Sequence, residues 1–75
     1  MPALSDLREG QAGTVEALAG DPALVQRLYE LGLFEGERVE VLAFAPLGDP
    51  VEVRVGNTRL SLRRQEAAAV AVAPG

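Results

Sequence analysis

Neither cysteine nor histidine occurs in this chain of 75 residues. No feature limits the fold more. A domain this small buries only about 60% of its unfolded surface, and small domains often add a disulfide or a structural metal to a thin core. Here neither is open, so the core must be assembled from Leu, Val and Ala. The hydrophobic fraction of 48% is enough for that and too high for disorder. Length leaves room for a single domain, residues 1–75.

The same two absences restrict chemistry. There is no thiol nucleophile, no imidazole base and no soft metal site. Carboxylates remain, but so short a chain is not expected to wall off the roughly 300 Å³ or more of a typical substrate pocket. The expectation is a protein that is not an enzyme, with no catalytic residues and no cofactor. A net charge of −4 and a pI near 4.6 argue against nucleic acid and against an anionic membrane surface as partners. No apolar run approaches the ~18 residues of a membrane span. The start "MPALSDLREG" lacks the basic and apolar stretches of a signal peptide, which predicts a cytoplasmic protein. All seven basic residues are arginine, read as a genome-composition or thermal bias rather than as function.

Local signals divide the chain into short pieces. Leu4 and Leu7 are the apolar anchors of a polar lead that docks against the core. Gly10 and Gly13 bracket a turn, and Thr14–Leu18 reads as a short strand. Asp21 and Pro22 form a helix start, cap then first helical residue. Leu24, Leu28 and Leu31 recur at i, i+4 and i+7, so a helix is predicted over Pro22–Leu31, ended by Gly32. Gly36 supplies the positive φ of a type II turn, with Leu33 and Phe34 returning to the core. From Arg38 to Ala45 the chain alternates. Val39, Val41 and Ala43 face one way, and Glu40, Leu42 and Phe44 the other. Val51, Val53 and Val55 mark a half-buried strand, Gly56-Asn57 a hairpin turn, and Leu60 and Leu62 the inward side of the next strand. "RRQEAA" is too short for a stable helix of its own and is read as one tight turn before a last strand over Ala69–Ala73. The resulting fold class is mainly β with one helix: a small SH3-like antiparallel barrel of about five strands, with the helix inserted between the first two. Closure is expected to remove exposed edges. A split α+β sheet is the second architecture.

In that order the pieces resemble a known family. A helix ends in Leu31-Gly32, and a turn runs from Phe34 to Val39. An apolar-Pro-Leu-Gly-Asp-Pro segment follows at Ala45–Pro50, then a valine strand at Val51–Val55, Gly56, and a Leu-x-Leu-Arg-x-x-Glu-Ala ending over Leu60–Ala67. The series is similar to the FeoA family, ferrous iron transport protein A, over about residues 10–73. The resemblance implies an SH3-like barrel and a role as accessory to FeoB, the membrane ferrous iron transporter with a cytosolic GTP-binding region. It also implies contact with the membrane only through that partner. The same module resembles the C-terminal domain of some iron-dependent repressors, so a regulatory domain contacting a DNA-binding partner is the alternative. A small RNA-associated barrel is a third reading, disfavoured by charge.

The candidate partner-binding residues are Leu42, Phe44, Pro46, Leu47 and Asp49. One reading folds the apolar ones back onto the barrel. The other makes them a docking surface stiffened by two prolines, because both faces of a strand in so small a barrel cannot be deep core. Arg54, Arg59, Arg63 and Arg64 are either a solvated face or a contact for an acidic partner or a nucleotide phosphate. Glu35, Glu37, Glu40, Asp49 and Glu52 are read as solubility and turn residues. Iron sites normally add imidazole or thiolate ligands, so no metal site is expected. Gly32, Gly36 and Gly56 are structural turn residues. An edge strand and an apolar patch would permit weak self-association.

Overall fold

The structure, a computed structural model, describes residues 2–75. Five strands form one antiparallel sheet: β1 (Ala12–Leu18), β2 (Arg38–Phe44), β3 (Val51–Val55), β4 (Thr58–Leu62) and β5 (Val70–Pro74), in the spatial order β4-β3-β2-β1-β5. Helix α1 (Pro22–Glu30) lies between β1 and β2 in sequence, and a four-residue helix α2 (Arg64–Ala67) between β4 and β5. This is the mainly β architecture expected, with five antiparallel strands and one main helix.

The strands coil around one cluster of buried Val and Leu. Val39, Val41, Val51, Val53, Leu62, Val70 and Val72 are all fully buried. Two bulges supply curvature. Opposite one step of β3, β2 carries an extra residue between Val41 and Ala43. Opposite β5, β1 carries one between Val15 and Ala17. Each bulge bends its strand and increases its twist, which lets a sheet of five short strands wrap on itself. Closure by hydrogen bonds is incomplete, unlike the expectation. Among the described residues no ladder joins β4 to β5, and both are sheet edges. The lead covers the β5 edge: Ala3 bridges Ala71, and Val72 N–H donates to the Pro2 carbonyl at 2.9 Å. A single 3₁₀ turn over Leu4–Asp6 follows, and its Leu4 is completely buried, with Leu7 nearly so.

Helix α1 starts and stops as its sequence dictates. The Asp21 carboxylate accepts from Leu24 N–H at 2.9 Å, satisfying one of the free donors at the helix start. At the other end Gly32, with φ +97°, donates to Tyr29 O at 2.9 Å, while Leu33 donates to Leu28 O at 3.1 Å. That pair of bonds is a Schellman motif, and its customary apolar contact falls to Leu28 and Leu33, both at 0% exposure.

Several local expectations change. β1 begins at Ala12, so Gly13 lies inside the strand. A Cβ there would sit 2.8 Å from the Ala73 carbonyl oxygen, and only glycine lets β1 approach β5 at that point. The turn before β1 is closed over Arg8–Gln11 instead. Leu33 reaches the core, but Phe34 does not. It is 48% exposed and stacks on Tyr29 at a centroid distance of 5.7 Å. Between Phe34 and Glu37 the backbone makes the type II turn, with Gly36 at φ +92°. In the β3–β4 hairpin only Gly56 has positive φ, so its turn is of the II′ kind, with Asn57 in ordinary space. Among the described residues no helix is long and apolar enough to cross a membrane.

Candidate functional site: the β2–β3 corner

The bulge in β2 decides what the corner exposes. Without the extra residue, Phe44 would share the outward face with Glu40. With it, Phe44 pairs opposite Val51, which is fully buried, and packs against the core. The strict alternation expected for Arg38–Ala45 thus breaks at one residue, and Phe44 is turned inward. Leu42 is half-buried at the bulge itself. The Phe44 N–H finds an acceptor in the Glu9 carboxylate, at 3.3 Å.

Beyond Phe44 the chain makes a tight corner. Gly48 N–H donates to Ala45 O at 2.7 Å and closes a turn whose two central residues are Pro46 and Leu47. Ala45 N–H donates to Pro50 O at 3.0 Å and closes the base. Pro46 is exposed, and Leu47 is 95% exposed, the extreme case among the large apolar side chains. Asp49 is exposed too, but its carboxylate is occupied: it accepts from the Arg64 backbone N–H at 3.0 Å. The Arg64 guanidinium lies over the same turn, 3.4 Å from the Gly48 carbonyl, where any side chain on Gly48 would meet it at 3.0 Å. The corner is therefore tied to α2 at two points. Leu47 stands out from a held backbone, not from a loose loop.

Of the five candidate residues, the structure brings Phe44, Pro46, Leu47 and Asp49 to one corner, but in different roles. Phe44 anchors, Asp49 braces, and Pro46 and Leu47 project. A shallow cleft of about 190 Å³ beside them is lined by Ala43, Phe44, Ala45, Pro50, Glu52 and Ser61. That is below the range of small-molecule pockets. A larger cleft of about 410 Å³ lies on the α2 side, lined by Ser5, Asp49, Arg63, Arg64, Gln65 and Ala68. Five of those six residues are exposed, so it is an open surface rather than a walled pocket.

Sequence reasoning missed Glu66. It is 5% exposed, accepts from Arg63 N–H at 2.8 Å and meets the Arg27 guanidinium at 2.7 Å, so it pins α2 to α1. Its signal was available, since a Glu at the third helical position commonly reaches back to the residue that caps the helix. The phenol of Tyr29 was missed as well. It donates to the Glu35 carboxylate at 2.9 Å, which holds its pKa above the ordinary value. Among the other candidates, Arg54 and Arg59 pair with Glu40 and Glu52 across the sheet. Among the described residues no three potential ligands of the Asp, Glu, His or Cys kind converge as a metal site would require.

A five-stranded antiparallel sheet coiled on a valine core, with a helical turn before the last strand, defines a small SH3-like domain. The FeoA domain family matches residues 3–74, so the chain belongs to the FeoA family. A curated relative, the Fe(2+) transport protein A/Fe(2+) transporter FeoB fusion protein of Porphyromonas gingivalis (strain ATCC BAA-308 / W83), is 35% identical over 69 residues. That match takes in 92% of this chain and only 8% of the relative's length. Among solved structures, the FeoA protein of Chlorobium tepidum is 44% identical with a TM-score of 0.86, over 93% of this chain and 67% of that one. FeoA of Stenotrophomonas maltophilia, described as a prokaryotic SH3 domain protein and solved with zinc, is 38% identical with a TM-score of 0.84, over 97% and 91%. A manganese-dependent transcriptional repressor is 25% identical with a TM-score of 0.83, over 91% of this chain and 38% of the repressor.

Proposed function

We propose that this chain is a cytoplasmic accessory protein of ferrous iron transport, a single module that docks on the cytosolic GTP-binding region of a FeoB-type transporter. The observation that carries the reading is Leu47, almost fully exposed on a corner that Asp49 and Arg64 hold in place. A large apolar side chain on a braced turn loses little entropy on binding and gains by leaving water. Family membership and a relative that joins the two transport proteins in one chain support the choice of partner. The mechanism is docking, not catalysis. A partner surface that fits the corner in one of its states shifts the transporter's conformational or GTPase equilibrium toward that state. Pro46 and Leu47 make the contact, and Leu42, Phe44 and Asp49 hold the corner that presents them.

Burying Leu47 supplies about 2 kcal/mol, so Leu47→Arg weakens the complex by about thirtyfold or more while the fold survives. Calorimetric titration of wild type and variant against the transporter's cytosolic region measures this. Equal affinities would remove the corner from the interface.

A second reading has its own support in the repressor likeness: the module contacts a DNA-binding regulator. Co-purification with a metal-dependent repressor in place of the transporter region would favour it.

A further inference from the structure

Leu47 alone is too little to hold a complex. One buried leucine contributes a minor share of micromolar affinity, so groups next to it must take part. Those groups lie on α2. Arg64 extends over the Leu47 turn toward Gly48 O, and Arg63 precedes it in the same open cleft, with the Ser5 and Gln65 side chains alongside. Among the described residues Arg27, Arg54 and Arg59 each have a side-chain carboxylate partner, Arg38 donates to the Gly75 carbonyl, and Arg8, Arg63 and Arg64 have no carboxylate on their guanidiniums; of these, Arg63 and Arg64 line the cleft beside the corner. The neighbouring carboxylate, Asp49, is engaged by the Arg64 backbone. In a chain of net charge −4, two guanidiniums without a carboxylate partner, Arg63 and Arg64 (the latter also reaching Gly48 O), stand beside the most exposed apolar side chain and form a local positive site on an acidic molecule.

We propose that the corner and the α2 cleft together bind an acidic peptide segment of the protein partner, with one apolar residue against Leu47 and a carboxylate on Arg63 and Arg64. This rests on the docking reading above and adds the chemistry of the occupant. Carboxylate fits better than phosphate, because Asp49 lines the same cleft and opposes a dianion more than a monoanion. The planar guanidinium fork suits a carboxylate in two-point contact. The like charge of the rest of the chain turns acidic segments away from its other faces, so these arginines also fix the docking orientation.

The test follows backbone and arginine side-chain NMR signals of the full chain during titration with three probes. One is a blocked pentapeptide alternating Glu and Leu, one its Gln-Leu counterpart, and one inorganic phosphate. The acidic peptide is expected to shift Leu47, Gly48 and the Arg63 and Arg64 Nε signals, and to lose that effect as salt is added. In the Arg63→Glu/Arg64→Glu variant its affinity falls about tenfold. Because Arg64 also touches the turn, Arg63→Glu alone serves as the variant that leaves the corner intact, with a smaller loss in the same direction. Equal binding of the neutral peptide, shifts confined to other surfaces, or a response to phosphate alone would overturn the proposal. A parallel titration with the transporter's cytosolic region separates the two readings. If wild type and Arg63→Glu bind it equally, the acidic-segment assignment fails and docking stands. If it does not bind while the acidic peptide does, the transporter reading fails and the surface chemistry stands.

Discussion

Leu47 and Phe44 sit three residues apart and end in opposite environments, one almost wholly in water and one packed on the core. Both are apolar, so composition does not separate them. The single extra residue of the β2 bulge does. Tyr29 and Phe34 give a second case of apolar surface kept outside, stacked on each other at the far end of β2, with the phenol bonded to Glu35. A phenol donating to a carboxylate keeps its proton longer, so its folded pKa lies above the unfolded one. The stability it adds is complete below the ordinary tyrosine range and is lost as pH rises through the raised folded value. Glu35→Gln is expected to bring the Tyr29 midpoint down toward the ordinary value, followed by phenolate absorbance during alkaline titration. An unchanged midpoint would mean that the contact does not persist in solution.

Between elements, the joint that matters most is α1 to α2 to the corner. Arg27 on α1 holds Glu66 on α2, and the next link is Arg64 to Asp49 and Gly48. Arg27→Met leaves the buried Glu66 carboxylate without its cation. A fully buried pair broken in this way would cost about 3–5 kcal/mol, but the Arg27 side chain is 60% exposed and water screens the loss. About 1–2 kcal/mol is expected, read from the urea midpoint. A variant as stable as wild type would show that Ala67 packing and the Arg64 contacts hold α2 without the ion pair. Helix α1 and most strands were legible because their signals are local: cap, period, glycine stop. The β2 bulge was not, since a strand's alternation gives no sign of which residue its neighbour will skip. The same limit hid the strand role of Gly13, which is set by a carbonyl sixty residues away.

At the scale of the whole molecule, 75 residues imply a folding free energy of only about 4–11 kcal/mol. With no disulfide and no histidine, the chain adds to its core by docking its own lead, Leu4 and Leu7, beneath the β5 edge. Leu4→Ala should therefore cost about 2–5 kcal/mol, a large part of the total. Thermal unfolding would show it as a much lower midpoint with one cooperative transition retained. A midpoint within a degree or two of wild type would mean that the lead is not part of the core.

By itself the sequence determined the mainly β class, the capped helix, the turns at Gly32 and Gly36, a core of Val and Leu, and family membership, because each is written in residue type and spacing along the chain. Tertiary structure alone decided that Phe44 turns inward, that Asp49 braces α2, that Glu66 is buried on Arg27, and that Leu47 is left standing beside Arg63 and Arg64. Those outcomes depend on which distant segments meet, and on the one-residue offset between paired strands, which no local pattern encodes.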